Sequence, residues 1–175
     1  KELFPNWSTD SRRALAITGT DEGFRQSMVE VYANLTRHMP DNGAQIVMFT
    51  HQDAGVWADL AMILWAAGLQ VTAAWCIVTE TDSGKKIGNY VQGTVLLVLR
   101  KQTSEETAFL DELASEVEDE VKRQLDAMLA LDDEDDPNFV DTDYQLAAYA
   151  AALRVLTKYR QIEDIDTMRE LYRAR

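Results

Sequence analysis

Residues 94–99 read Thr-Val-Leu-Leu-Val-Leu, an apolar run of the kind found in strands covered on both faces. Before it, Thr81 to Tyr90 is turn chemistry, with Ser83-Gly84-Lys85-Lys86 and Gly88-Asn89. Further upstream, Val71 to Thr79 is rich in β-branched and aromatic residues and reads as a strand. A helix over about 54–67 carries Trp57, Leu60, Ala61 and Leu64 at helical spacing, and Gly68 stands where a C-terminal cap glycine belongs. Ala44 to Thr50 reads as a short buried strand. From Asp21 another helix is expected, its stripe formed by Phe24, Met28, Val31 and Leu35, and Pro40-Asp41-Asn42-Gly43 ends it in a turn. Residues 1–20 give only weak signals. The order over 21–101 is helix, strand, helix, strand, loop, strand. Strand–helix–strand favours parallel pairing of 44–50 with 71–79 and a right-handed crossover. The last strand follows a loop without a helix, so it should run antiparallel to its predecessor.

Beyond Gln102 the texture becomes helical. Ser104 can cap a helix whose stripe is Leu110, Leu113, Val117, Val121, Leu125 and Met128. Asp132 to Asn138 reads as a solvated loop. A helix over about 142–159 carries Leu146, Tyr149, Leu153 and Leu156 with an alanine-rich flank, and a last short helix contains Ile165, Met168 and Leu171. A boundary is expected near residue 103, with 1–102 as an α/β portion and 103–175 as an acidic helical tail.

The chain has 175 residues, with 30 acids against 17 bases. Between Glu105 and Asp143 lie 16 acids and two bases, leaving 14 acids and 15 bases in the other 136 residues. The net −13 therefore describes one segment, and the rest is close to neutral. Cys76 is the single cysteine, which excludes an internal disulfide and a cysteine-cluster metal site. No run of 18 apolar residues spans a bilayer, no charged-then-apolar leader opens the chain, and a cytoplasmic location is expected. The first residue is Lys1 rather than Met, as in a piece of a longer protein.

The motifs that usually announce chemistry are missing. Ser83-Gly84-Lys85-Lys86 lacks the flanking residues of a phosphate loop, and His38 and His51 have no partner at metal-ligand spacing. The acidic run has Pro137 where a calcium loop needs glycine. Thr50-His51-Gln52-Asp53 is placed more suggestively, after the end of a strand, where open α/β sheets bind ligands. Either His51 and Asp53 line a cleft, or Asp53 only caps the following helix.

The segment Phe24 to Lys101 resembles the C-terminal part of the catalytic domain in the large zinc-ribbon-containing adenine-specific DNA methylases of prokaryotes. The resemblance rests on Phe49-Thr50-His51 closing a strand, on Gly68-Leu69-Gln70-Val71-Thr72-Ala73-Ala74-Trp75, and on a strand closing in Arg100-Lys101. It covers roughly residues 10–101 in order, and the acidic tail is also similar to that family's extension. It implies the last third of a doubly wound, Rossmann-like sheet: strand five at 44–50, strand six at 70–80, and antiparallel strand seven at 92–101 inserted between them. It also implies a parent enzyme that moves a methyl group from S-adenosylmethionine to the adenine amine of DNA. The family's glycine-rich cofactor loop, its Asp/Asn-Pro-Pro-Tyr motif and its zinc-ribbon cysteines do not occur in this sequence, so this piece alone should neither bind the cofactor tightly nor turn over. No residue here is expected to be catalytic. Thr50, His51 and Asp53, then Asn89 and Tyr90, are the expected cleft-lining residues, with Lys85 and Lys86 as possible phosphate contacts. DNA would be met through the parent. A rival reading makes the α/β part a scaffold whose acidic helical tail binds a protein partner.

Overall fold

The computed structural model describes residues 21–78, 93–132 and 137–163. They form α1 (Asp21–His38), β1 (Gln45–Phe49), α2 (Ala54–Ala66), β2 (Leu69–Val78), β3 (Gly93–Lys101), β4 (Thr107–Ala108), α3 (Leu110–Leu129), α4 (Asp141–Lys158) and β5 (Gln161–Ile162). The fold is mixed α/β around a small antiparallel sheet. The expected helix at 165–171 and the loop carrying Lys85, Lys86, Asn89 and Tyr90 lie outside the described residues.

The main sheet has the order β1-β3-β2, with β3 antiparallel to both neighbours. This corrects the expected direct pairing of the first two strands. β1 and β2 point the same way, but β3 stands between them, and among the described residues β1 has no parallel partner. The physical reason lies in β3 itself, the most apolar strand, which buries most when both of its edges are paired. Its side chains alternate. Val95, Leu97 and Leu99 are buried, while Thr94, Leu96 and Val98 are only half-covered. The expectation of cover on both faces therefore holds for one face only.

The covered face packs against α2 and α4. Trp57, Leu60 and Leu64 of α2, Leu69, Val71 and Ala74 of β2, the three β3 residues, and Leu146, Ala150 and Leu153 of α4 form one core. The boundary expected near residue 103 thus does not separate two cores, because α4 completes the sheet's own. Buried Ala147, Ala150 and Ala151 let α4 approach closely. At the outer edge of β2 the Val71 N–H donates to Thr157 Oγ1 of α4 at 2.8 Å. A bulge between Val71 and Ala73 further irregularises that edge.

Two helices depart from the sequence reading. α1 turns Met28, Val29, Tyr32 and Ala33 toward α2 and the core, whereas Phe24, Val31 and Leu35 of the expected stripe stay exposed. The inward flank wins because its polar groups find partners: Arg25 pairs with Asp59 at 3.0 Å and Thr36 accepts from Gln45 at 3.2 Å. α3 begins at Leu110 rather than beside Ser104. Residues 107–108 instead pair in parallel with 161–162, and Arg160 N–H donates to the Glu106 carbonyl at 2.9 Å. Ser104 Oγ accepts from Glu106 N–H in a local turn. A second small core, Trp65, Ala108, Leu113, Val155 and Ile162, lies beneath this clasp.

Candidate functional site

β1 and β2 end on the same side of the sheet, and antiparallel β3 begins there. This edge gathers Thr50, His51, Asp53, Gly93 and Cys76, together with the start of α4. Asp53 is the N-cap of α2: its Oδ1 accepts from Gly55 N–H at 2.7 Å and Val56 N–H at 3.4 Å. Of the two readings of Asp53, the cap is the one its bonds support. His51 is exposed, and its Nδ1 accepts the Asp53 N–H at 3.0 Å. That bond fixes the neutral ring as the tautomer with hydrogen on Nε2. The His51 carbonyl accepts from Trp57 Nε1 at 2.6 Å, and the Trp57 ring stands edge-on to Phe49 at 4.9 Å. Thr50 Oγ1 donates to the Gly93 carbonyl at 3.2 Å, tying the end of β1 to the start of β3. The strand end is therefore held from both sides, while Thr50, His51 and Asp53 themselves stay exposed.

Sequence reasoning missed the other half of this edge. Asp143 is fully buried. Its Oδ1 accepts the Gly93 N–H at 2.9 Å and its Oδ2 accepts the Val140 N–H at 3.1 Å, in the first turn of α4. Two backbone donors and the positive end of the helix offset the cost of burying that charge. Cys76 lies against the same spot. Burial, and then the Asp143 charge, push its thiol up to about 12. Cys76 is thus a half-buried thiol and not a nucleophile at neutral pH. The signal was the pairing of an Asp two residues into a helix with a glycine at a strand start, which has no fixed spacing in sequence.

The connection from Val78 to Gly93 starts and finishes at this edge, and it carries Lys85, Lys86, Asn89 and Tyr90. Their placement lies outside the described residues. Among the described residues, no group of His, Cys, Asp or Glu could hold a metal ion, and no helix is long and apolar enough to cross a membrane.

Two clefts lie at the other end of the sheet. One of about 290 Å³ is lined by Trp65, Gly68, Gln102, Ser104 and Arg160. The other, about 240 Å³, lies between the start of β2 and the α3–α4 pair, with Glu116, Glu120, Arg154 and Lys158 in its wall. These four charges pair with one another: Glu120 with Arg154, and Glu116 with Lys158 at 2.7 Å. Part of the acidic segment is therefore an internal seam. Burial alone would raise the Glu116 carboxyl, but hydrogen bonds from Lys158 and Tyr159 outweigh it and hold the group below the usual range.

No family model, curated protein or solved structure matches the chain.

Proposed function

We propose that this chain is the C-terminal part of a DNA methyltransferase that transfers a methyl group from S-adenosylmethionine to the adenine amine. The observation that carries the reading is the strand order. Two strands of one direction joined through α2, with an antiparallel third inserted between them, is the arrangement the sequence resemblance implies for strands five, six and seven. Supporting it, Thr50 and His51 sit at the carboxyl end of β1, where such sheets place their ligands.

The exposed face of the sheet supports the same reading. Met48, Leu96 and Trp75 lie side by side across the three strands, as do Ile46, Val98 and Ala73. Met48 is 61% exposed, Ile46 56% and Trp75 53%. A doubly wound sheet is covered on both faces, so apolar rows of this kind suit a sheet that belongs to a larger domain. Direct displacement at the methyl group needs orientation and exclusion of water more than acid–base groups, in keeping with a segment that positions and does not react.

The test is methyl transfer by the full-length parent. Labelled S-adenosylmethionine should deliver its methyl to adenine in DNA, and the coding sequence ahead of Lys1 should contain Asp/Asn-Pro-Pro-Tyr within roughly 40 residues, the motif that holds a flipped base. A parent without that motif and without transfer overturns the reading.

A second reading has one observation in its favour. Along the outer side of α3, Asp111, Glu112, Glu118, Asp119 and Asp126 are exposed, and Leu129 and Leu131 are exposed at its end. A basic, amphipathic protein partner fits that surface. Its binding should weaken with added salt.

A further inference from the structure

The turn Pro40-Asp41-Asn42-Gly43 joins α1 to β1 and holds the sequence's only Asn-Gly step. Gly43 N–H donates to the Pro40 carbonyl at 2.9 Å and closes the turn. Only glycine fits there, because a Cβ would collide with Met39 Cγ and stand 2.9 Å from the Pro40 carbonyl oxygen. Asn42 is exposed, and among the described residues its side-chain amide has no hydrogen-bond partner. Packing thus keeps glycine after an exposed asparagine, the pair in which a backbone nitrogen reaches a side-chain amide with least obstruction.

That pair is open to ring closure and hydrolysis. The Gly43 nitrogen gives its proton to water and attacks Asn42 Cγ. The bond from Cγ to the side-chain nitrogen breaks, ammonia leaves, and a five-membered succinimide remains. Water then adds to one of the two ring carbonyls. Opening at Cγ gives aspartate, and opening at the main-chain carbonyl gives isoaspartate, whose backbone is one carbon longer. Closure requires the Asn42–Gly43 peptide group to rotate until its nitrogen faces Cγ. The fold opposes that rotation. Arg100 Nη1 donates to the Asn42 carbonyl at 2.6 Å and to the Gly43 carbonyl at 3.0 Å, fixing the oxygen on each side of the attacking nitrogen. Lys101 Nζ pairs with Asp41 at 2.8 Å in the same turn. Both cations follow Leu99 of β3, which lies opposite Gln45 of β1, so the restraint exists only while these strands are paired. We propose that Asn42 is a modification site, converted through a succinimide to aspartate and isoaspartate, and that Arg100 restrains it in the folded chain. This chemistry belongs to the turn and is independent of methyl transfer by the parent.

Peptide mapping of the full 175-residue chain aged at pH 8, folded and in urea, tests this. The readouts are the mass gain of amide-to-acid conversion at Asn42 and the isoaspartyl product, resolved by fragmentation. Conversion should be slow in the folded chain and fast in urea. Arg100→Gln should raise the folded rate at least about fivefold, since it removes two bonds from a charged donor, and should leave the rate in urea unchanged. In that variant the Leu97 and Leu99 amides should stay protected from exchange, which reports an intact sheet. No conversion at Asn42 in urea overturns the inference, as does a folded rate that matches the rate in urea. Equal folded rates with and without Arg100 overturn it too. So does acceleration accompanied by lost protection at Leu97 and Leu99, which would assign the restraint to the sheet as a whole.

Discussion

Gly93 joins three elements through what it lacks. A Cβ there would stand 2.6 Å from Asp143 Oδ1 and 2.9 Å from Cys76 Sγ. Neither neighbour can yield easily, since Asp143 is buried and bonded to the Gly93 N–H itself. Gly93→Ala should therefore destabilise the fold by about 2 kcal/mol in denaturant titration. Asp143→Ala should cost at least about 2 kcal/mol, because it orphans the buried Gly93 donor and uncaps α4. A thiol pushed up to about 12 should be almost inert to alkylation at pH 8 in the folded chain and should react quickly once the chain unfolds. Asp53 and His51 separate at this scale. Asp53→Ala should lower stability by about 1 kcal/mol as a lost helix cap. His51→Ala should leave stability nearly unchanged and, under the methyltransferase proposal, reduce transfer by the parent. The cap was legible in sequence because Asp before an apolar helix has a fixed local geometry. Asp143 was not, because its partner lies 50 residues away.

Elements were legible where local chemistry decides them. Gly68 closes α2 with φ of +77°, a backbone state that favours glycine and that its position after the helix had indicated. Where tertiary contacts decide, sequence reasoning failed. Apolarity alone predicts a stripe through Phe24, Val31 and Leu35 of α1, yet Arg25–Asp59 and Thr36–Gln45 draw the other flank inward. Local capping chemistry predicts that α3 starts at Ser104, yet the pairing of 107–108 with 161–162 holds that stretch extended. The α3–α4 seam carries a pH prediction. Glu116 is depressed in the folded chain, so its contribution is fully present above the unfolded value and is lost as pH falls through the lower folded one. Stability should therefore decline below the ordinary glutamate range, about pH 4.3. Glu116→Gln should flatten that part of the acid limb in thermal scans from pH 6 to pH 3.

For the molecule as a whole, sequence reasoning reached α1, β1, α2, β2, β3 and α4 among the described residues, while its compositional boundary near residue 103 is crossed by the packing of α4. Composition sets the tail 103–175 apart from 1–102, whereas burial joins them: α4 lies in the tail by sequence and in the sheet's core by packing. Removing residues 104–175 should accordingly abolish cooperative unfolding rather than release an intact α/β unit. Near-ultraviolet dichroism of residues 1–103 reads this, and a sharp thermal transition there would show that α2 alone sustains the sheet. Chain order and sheet order also disagree, with a consequence for biosynthesis. The middle strand is made last. When β1, α2 and β2 have left the ribosome, the two strands still sit a strand's width apart and cannot bond each other. The segment from Val78 to Lys101 takes roughly 1–5 s to translate at about 5–20 residues per second. Throughout that interval β1 and β2 are nascent strands without their shared neighbour. A chaperone that shields apolar strands during synthesis, and a slow codon placed after Lys101 rather than before it, are what this topology calls for.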